Sequence, residues 1–433
     1  MNIKTTINNQ WRRFLTLDRS ARLFILITVM TGIFFAGWDL FFNLYILAKG
    51  FDKEFLGLVN SLYPAAVLLF GIPMGMLSDR IGRKYSLLIG QIFFLISFLI
   101  IAITSSGTVI LAVSFIGGVV DTLYIVSVTP LLAQLSNKAN RNYLFSIVFG
   151  LATLSRMVGS FLAGQLPLWF ENVFGFQSST ALSYQAVLIT CIGLTFLTLI
   201  PLLMIKLPEK VAELDENGER VVSKVRNGYR EKLQNILKNK VVWKLFIPNL
   251  QIGLGSALII PYLNLYFVEK FFVNDQTLGL LFSLGALATG LASLFSPRLA
   301  NRLGTRIRAI VLVQGSSLLF LLVLGFSPVL GIVMIGFMAR GALMNMGHPL
   351  FESFTMDQVS EDEQGTLNSV MILSWEIGWA VGPFVSGLVQ ERYGFNPLFV
   401  AMALLYASAI IMIWFFFQHT EKVSKSGQAY PTP

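Results

Sequence analysis

The stretch Gly75-Met76-Leu77-Ser78-Asp79-Arg80-Ile81-Gly82-Arg83-Lys84 follows a long apolar segment, and a similar stretch, Pro297-Arg298-Leu299-Ala300-Asn301-Arg302-Leu303-Gly304-Thr305-Arg306, recurs in the second half of the chain. In both stretches a glycine and a group of basic residues follow an Asp or Asn residue. A basic loop behind an apolar segment, repeated once at a spacing of half the chain, predicts two related membrane bundles joined in tandem. Such an arrangement is typical of transporters.

Composition supports a membrane protein. Hydrophobic residues make up 55% of the chain and charged residues 13%, and the mean hydropathy is +0.69. These values lie outside the usual range of soluble domains. The chain has one cysteine, Cys191, and two histidines, His348 and His419, so we predict no intramolecular disulfide, no metal site and no cofactor.

Twelve apolar segments are long enough to cross a bilayer, which needs about 20 apolar residues per helix. The first six are predicted at 22–48, 55–78, 85–105, 108–135, 142–169 and 181–206. The second six are predicted at 245–269, 276–298, 307–326, 329–356, 366–391 and 396–417. Continuous apolar runs indicate helices, because the strands of a membrane barrel alternate in polarity.

Internal repetition extends beyond the two loops. The first segment contains Phe41-Phe42-Asn43-Leu44-Tyr45, and the seventh contains Tyr262-Leu263-Asn264-Leu265-Tyr266 at nearly the same spacing as that between the loops. The predicted fold is an all-α membrane protein with twelve transmembrane helices in two pseudo-symmetric six-helix bundles. We place the bundles at 1–206 and 245–417, a linker loop at 207–244 and a tail at 418–433.

Basic residues predict the orientation. With both termini in the cytoplasm, 26 of the 32 Lys and Arg residues fall on the inside, as the positive-inside rule requires. The net charge of +9 then follows from basic loops that face anionic lipid, and no nucleic-acid partner is needed. Within the charged linker, residues 224–242 are expected to form an amphipathic surface helix.

The first loop resembles the signature loop of the major facilitator superfamily, and the likeness extends over the whole chain through the twelve spans and the two-fold repeat. The matching residues are Gly75, Asp79, Arg80, Gly82, Arg83 and Lys84. The resemblance implies a gating loop in which Gly75 lets the second helix approach the eleventh closely. Asn301 stands at the equivalent position of Asp79, so the second loop is expected to be the weaker latch.

Charged side chains inside spans are costly unless they are paired or hydrated, so they are candidates for proton coupling or substrate binding. The candidates are Asp39, Asp121, Arg156, Arg340 and Glu376. Either Asp39 or Asp121 is interpreted as a proton carrier; alternatively, Arg156 forms a fixed ion pair with one of them. Glu376 is interpreted as a coupling or substrate residue, which Arg340 could otherwise neutralise.

Aromatic and polar residues near these charges are candidates for the lining of a cavity. They are Trp38, Phe42, Asn43, Tyr124, Asn264, His348, Trp375 and Trp379. An acid among aromatic rings suits a lipophilic cation through charge pairing and cation–π contact. A sugar, which stacks on tryptophan and bonds to Asn and Asp, is an alternative ligand. His348 is interpreted as a packing or hydrogen-bonding residue in preference to a proton relay.

One difference from the drug-proton antiporters of this superfamily weakens the assignment of this chain as an antiporter. They usually carry a glycine-proline motif in the fifth helix, whereas here the motif Gly382-Pro383 lies in the eleventh. No phosphate-binding loop, catalytic triad or metal-ligand cluster is recognisable, so we do not predict an enzyme.

The predicted function is secondary active transport by alternating access, with proton-coupled efflux of amphipathic or cationic small molecules. The alternatives are a sugar or polar-metabolite permease, a flippase for a lipid-linked substrate, and a membrane sensor or scaffold that does not transport. The expected partners are a small-molecule substrate, protons or another coupling ion, and membrane lipids. We expect a monomer in a plasma membrane of bacterial type.

Overall fold

The computed structural model describes residues 14, 16–136, 140–206, 234–360 and 363–420. Within these ranges the chain is almost entirely helical and contains no β-strand. Twelve spans in the described part are long and apolar enough to cross a membrane. This confirms the prediction of an all-α membrane protein with twelve transmembrane helices.

Helices of the first half match the predicted segments closely. They are α1 (Arg19–Ala48), α2 (Lys53–Ile81), α3 (Arg83–Ile103), α4 (Gly107–Gln134), α5 (Arg141–Phe174) and α6 (Ala181–Phe196), which the short helix Leu199–Met204 continues. The largest difference between predicted and observed bounds is at the end of α5, which extends five residues beyond the predicted end at 169. Helix α5 ends there because Gly175 adopts a left-handed conformation, with φ of 73°, which glycine adopts without steric penalty.

Helices of the second half also match. They are α7 (Lys240–Ile259), α8 (Asp275–Leu303), α9 (Arg306–Phe326), α10 (Leu330–Met356), α11 (Gln364–Tyr393) and α12 (Asn396–Phe417). A 3₁₀ turn (Ile260–Tyr262) and the helix Leu263–Phe271 continue α7. Helix α7 begins five residues earlier than predicted because the side chain of Asn239 accepts a hydrogen bond from the Val241 N–H at 2.9 Å and caps the helix.

Most of the predicted linker lies outside the described residues. Residues 207–233 are among these, and they include most of the surface helix that we predict at 224–242. Residues 234–238 are helical, but this helix does not continue to 242, because Asn239 caps α7. The tail is described as far as Thr420. The boundaries of the two predicted bundles therefore remain predictions.

By internal contacts the chain divides into two compact units. The first comprises the described parts of 1–50, 69–209 and 273–286. In this unit α1 packs on α5 and α6, and α3 packs on α4 and α6. Its core includes Leu87, Leu131 and Leu144, which are fully buried.

The second unit comprises the described parts of 51–68, 210–272 and 287–433. Here α7 packs on α11 and α12, and α9 packs on α10 and α12. These pairings repeat those of the first unit with each helix number raised by six. The sequence repeat therefore corresponds to a repeat in helix packing.

A tyrosine and a lysine, one turn apart, cap the end of α3 in the first unit. Tyr45 donates a hydrogen bond to the Ala102 carbonyl, and Lys49 donates to the Thr104 carbonyl. Lys49 also donates to the Tyr45 hydroxyl oxygen at 3.0 Å. The last carbonyls of a helix lack partners within the helix and carry partial negative charge, so a cation here stabilises the helix end.

The second unit contains the same arrangement at the end of α9. Tyr266 donates to the Leu324 carbonyl at 2.5 Å, and Lys270 donates to the Gly325 carbonyl at 2.8 Å. Lys270 lies 2.9 Å from the Tyr266 hydroxyl oxygen. The tyrosines belong to the repeated motif that the sequence analysis identifies, and in both copies a lysine follows four residues later.

Glycine allows α2 to touch α11 in the second unit. A methyl group on Gly57 would lie 2.7 Å from the Pro383 carbonyl oxygen and 3.0 Å from the Cα of Gly387. The two backbones therefore meet without intervening side chains, as glycine permits between membrane helices. The hydroxyl of Ser61, one turn along α2, accepts a hydrogen bond from the Phe384 N–H at 2.8 Å.

The first unit contains the equivalent contact between α5 and α8. A methyl group on Gly164 would lie 2.7 Å from the Cα of Gly279 and 3.0 Å from the Asp275 carbonyl oxygen. In the repeat, Gly279 stands at the position equivalent to Gly57, and Gly164 stands at the position equivalent to Gly387. The close helix contacts are thus a property of the repeat.

Gly57→Val is expected to lower the melting temperature of the purified protein by several degrees, because the new side chain meets backbone atoms of α11. Overpacking of this kind costs about 1–3 kcal/mol. Gly71→Val on the same helix is the matched control, since a methyl group at Gly71 would meet no atom within 4 Å. Equal melting temperatures of the two variants would show that stability does not depend on the α2–α11 contact.

Candidate functional site

The second unit contains a cavity of 210 Å³ formed by α7, α10 and α11. Three of the predicted site residues line it: His348, Trp375 and Glu376. The other lining residues are Asn249, Phe351, Glu352, Thr355, Met356, Asn368, Met371 and Ile372. Two acids, a histidine and a tryptophan thus lie around one opening.

Glu376 is the unpaired acid of this cavity. It is half-buried, and no ion pair or hydrogen bond of its carboxyl group occurs among the described residues. Trp375 lies beside it, and its ring stacks on that of Trp379 with 6.2 Å between centroids. A carboxylate without a counter-ion is costly in the membrane, so a proton or a cationic ligand would stabilise this site.

His348 and Glu352 lie one turn apart on α10 and form a pair on the cavity wall. Nδ1 of His348 is 3.5 Å from the nearer carboxylate oxygen of Glu352, and more than half of each side chain is exposed. The His348 ring also meets Trp375 edge to face, with 6.4 Å between centroids. His348 therefore has both a polar partner and an aromatic packing partner.

Polar residues that the sequence analysis does not select complete the cavity. Asn249 of α7 donates hydrogen bonds to the Met371 carbonyl at 3.0 Å and to the Ser374 hydroxyl at 2.6 Å, so it ties α7 to α11 beside the opening. Thr355 is buried, and its hydroxyl has no hydrogen-bond partner among the described residues. An amide inside an apolar span is the sequence signal that indicates Asn249.

Arg340 does not line this cavity and does not pair with Glu376. It is 6% exposed, and one of its terminal nitrogens donates to the Tyr406 hydroxyl at 2.6 Å. The Tyr406 hydroxyl in turn lies 2.6 Å from the Ser256 hydroxyl. A hydrogen-bonded row of three side chains therefore joins α10, α12 and α7.

Asp39 and Asp121 are the two acids predicted as possible partners of Arg156, and in the first unit Arg156 lies beside Asp39. Its Nη1 is 3.7 Å from a carboxylate oxygen of Asp39, near the upper limit for an ion pair, and the Asp39 side chain is 49% exposed. Every other residue from Ala36 to Ile46 is buried, so Asp39 is the one open position on this stretch. At 3.7 Å no hydrogen bond joins the two groups, so Arg156 holds Asp39 less tightly than a hydrogen-bonded ion pair would.

Aromatic neighbours of Asp39 are packed inside the first unit. Trp38 and Phe42 are 5% and 8% exposed, and the Trp38 ring lies 4.8 Å from that of Phe42 and 4.2 Å from that of Phe98. The sequence analysis expects these rings to line a cavity, but in this structure they pack against other rings. Such packing stabilises large aromatic side chains more than exposure at a cavity would.

Four further candidate residues are also buried or packed. Asp121 is 5% exposed, and the equivalent residues Asn43 and Asn264 are 4% and 1% exposed. Tyr124 packs against the core of the first unit. These residues do not line the cavity of the second unit.

The signature loop forms a local cluster in the first unit. Arg83 pairs with Asp79 one turn earlier and donates to the Ser78 hydroxyl at 3.0 Å. Gly82 has a φ of 92°, a conformation that favours glycine. Lys84 donates to the Leu203 carbonyl at 2.7 Å.

Two residues of the loop make no such contacts. Arg80 has no hydrogen bond or ion pair within the described residues. A methyl group at Gly75 would meet no atom of the described residues within 4 Å, and its expected role in a contact with the eleventh helix stays a prediction. Within the second unit, α2 makes its close contact with α11 at Gly57.

Asp275 is a buried acid that the sequence analysis overlooks. It is 6% exposed and accepts hydrogen bonds from the Tyr184 hydroxyl at 3.0 Å and the Ser179 hydroxyl at 3.1 Å. An acid in the first turn of a helix usually faces solvent, where it complements the helix dipole. Sequence position alone therefore does not indicate that it is buried.

Comparison with known proteins identifies the family. The model of the Major Facilitator Superfamily matches residues 24–271 and 249–431, which together cover most of the chain. The solved structure of the nucleoside transporter NupG resembles this structure with a TM-score of 0.70 at 14% identity, covering 93% of this chain and 99% of that one. This likeness concerns the fold alone.

Two relatives of established name are similar in sequence. The multidrug resistance protein MdtG of Yersinia enterocolitica is 28% identical over 38% of this chain. The chain spans only 40% of the length of that relative. The quinolone resistance protein NorA of Staphylococcus aureus is 21% identical over 85% of this chain and 89% of its own length.

Asp39→Asn, Arg156→Gln and the double variant separate two roles of the ion pair. We expect each single variant to lose pH-driven transport and to be less stable than the wild type, because one charge is left without its partner. The double variant should regain stability, since it carries neither charge. We expect no recovery of transport, because the double variant has no group at position 39 that binds a proton. Thermal unfolding and flux in proteoliposomes measure the two properties. If the double variant regains flux, the pair is only a structural tie.

Proposed function

Because the chain belongs to the Major Facilitator Superfamily of membrane transporters, we propose that it exports amphipathic or cationic small molecules in exchange for protons. Family membership and the twelve apolar helices make it an integral multi-pass membrane transporter and not an enzyme, as predicted from the sequence. Proton coupling, the direction of transport and the type of substrate are our proposal.

The observation that carries the proposal is Glu376. Its carboxyl group borders a cavity inside an apolar span and has no ion pair among the described residues. A charge in this position needs neutralisation, and either a proton or a cationic substrate would supply it. Competition between the two for one carboxylate is the simplest physical basis for exchange.

Properties of the cavity suit part of a drug-sized cation. Its 210 Å³ is less than the roughly 300–1,000 Å³ of pockets that enclose whole drug-sized molecules. It is therefore a subsite for one end of the substrate, such as an aromatic ring that bears an amine. Trp375 offers a ring face for a cation–π contact, worth about 0.5–2 kcal/mol.

Asp39 of the first unit provides a second proton site in this proposal. Its pairing with Arg156 is long and exposed, so the carboxylate can exchange Arg156 for a proton as its surroundings change. Both termini and the signature loop lie on the cytoplasmic side in our assignment, which follows from the basic residues. The names of MdtG and NorA refer to drug resistance, which supports export of amphipathic compounds.

Glu376→Gln is expected to reduce pH-driven uptake of the lipophilic cation rhodamine 123 into inside-out proteoliposomes to background, at least about tenfold, since an amide cannot carry a proton. The size of the change corresponds to about 1.4 kcal/mol or more. Glu391→Gln on the same helix is the matched control. Glu391 lies outside the cavity and accepts a hydrogen bond from the Lys53 N–H, a bond that glutamine can still accept.

Four results would contradict the proposal. Undiminished pH-driven flux in Glu376→Gln would remove this residue from coupling. Wild-type flux of a neutral sugar without flux of rhodamine 123 would favour the permease alternative. A flippase would instead be detected as transfer of a fluorescent glycolipid between leaflets, and no flux of any kind would favour the sensor or scaffold.

A further inference from the structure

Arg340 is a buried cation that the proposed exchange does not use. Only 6% of the residue is exposed, and its guanidinium group contacts Tyr406 of α12. One terminal nitrogen donates to the Tyr406 hydroxyl at 2.6 Å, and the group lies over the Tyr406 ring at 5.5 Å. An arginine keeps its charge at any physiological pH.

The described residues contain no counter-charge for this group. No carboxylate among them forms an ion pair with Arg340, and its Nε has no hydrogen-bond partner although it is buried. A buried charge without a partner is strongly unfavourable. Tyr406, whose hydroxyl also bonds to Ser256, holds the guanidinium in place, but a neutral hydroxyl does not compensate its charge.

The guanidinium of Arg340 and the cavity of Glu376 lie at different levels along the helices. Ser256 follows Asn249 by seven residues, which places both on one face of α7 about 10 Å apart. Arg340 precedes His348 of the cavity wall by eight residues, about 12 Å along α10. Arg340 and the cavity are thus separated by roughly the length of a small aromatic molecule.

A second unsatisfied donor lies near the same level. The indole Nε1 of Trp379 is buried without a hydrogen-bond partner in the described part of the chain. Its neighbour Gly378 packs on Leu254, and the next residue of α7, Gly255, meets the Tyr406 ring. Two buried N–H donors without acceptors therefore occur within about one turn of this level of the second unit.

We propose that Arg340, positioned by Tyr406 and Ser256, is a binding site for a monoanionic group of carboxylate size. The planar fork of Nε–H and a terminal N–H matches the two oxygens of a carboxylate. This inference rests on the proposed function and refines its substrate class: the transported molecule is zwitterionic, with its cationic end at Glu376 and its acidic end at Arg340. The same site could take a free anion such as chloride.

Two dyes that differ by one group test the proposal. Rhodamine 110 carries a free carboxylate next to its cationic ring system, and rhodamine 123 is its methyl ester. Fluorescence anisotropy with the full-length protein in detergent is expected to give a Kd for rhodamine 110 about tenfold lower than that for rhodamine 123, the size of one charge-assisted hydrogen bond. Arg340→Gln should abolish this preference and leave the affinity for rhodamine 123 within about twofold.

Controls separate recognition from folding. Arg392→Gln removes an arginine at the end of α11, outside the cavity, and should keep the preference. If Arg340→Gln fails to fold, Arg340→Lys and Tyr406→Phe decide the question. Lysine retains the charge without the planar fork, and Tyr406→Phe releases the guanidinium from its tether, so both variants should lower the preference.

A chloride arm identifies the source of the anion. If the ligand is free chloride, replacing chloride by gluconate lowers the melting temperature of the wild type but not of Arg340→Gln, and the two dyes bind alike. Equal affinities for the dyes together with no effect of chloride would overturn the proposal and leave Arg340 as a structural tie. The proposed function is tested by a separate measurement: if the wild type shows no pH-driven flux of rhodamine 123, the proposed function is refuted.

Discussion

Every polar group in a membrane span must find its partner inside the protein, because hydrocarbon offers none. Most of this structure follows that constraint. Tyr45 and Lys49 satisfy the last carbonyls of α3, and Tyr266 and Lys270 satisfy those of α9. Buried polar side chains such as Asp275 accept hydrogen bonds from neighbouring hydroxyls. Against this background, an unpaired charge needs an explanation from function.

The charged groups differ between the two units, although the scaffold repeats. The helix caps, the glycine contacts and the pairings of helices recur at a nearly constant offset along the chain. The charged candidate residues do not recur: the position equivalent to Asp39 is Ile260, and the one equivalent to Arg156 is Trp379. In the described residues, the first unit thus contains a paired acid and base, whereas the second contains Glu376 and Arg340 without counter-charges. We infer that the repeat serves architecture and that the unequal charges serve chemistry.

Sequence reasoning succeeds for the spans and is incomplete for the site. Length and hydropathy are enough to locate twelve helices, and errors of a few residues occur where a single residue such as Asn239 or Gly175 begins or ends a helix. The charged candidates are found because charges are rare in spans. Trp38 shows the limit, since a helix has several faces and composition does not say which of them meets a neighbour. Trp38 packs against Phe98, and α2 meets α11 at Gly57.

The sequence by itself determined that the chain is an all-α membrane protein of twelve helices with an internal repeat, because the bilayer thickness and the cost of unpaired backbone groups act on each segment locally. Only the tertiary structure decided which charges meet. It places Arg156 beside Asp39 and leaves Asp121 buried elsewhere, and it places Arg340 on Tyr406 and not on Glu376. The reason is that an ion pair depends on distances of a few ångströms between different helices, which follow from their packing and not from their order in the chain.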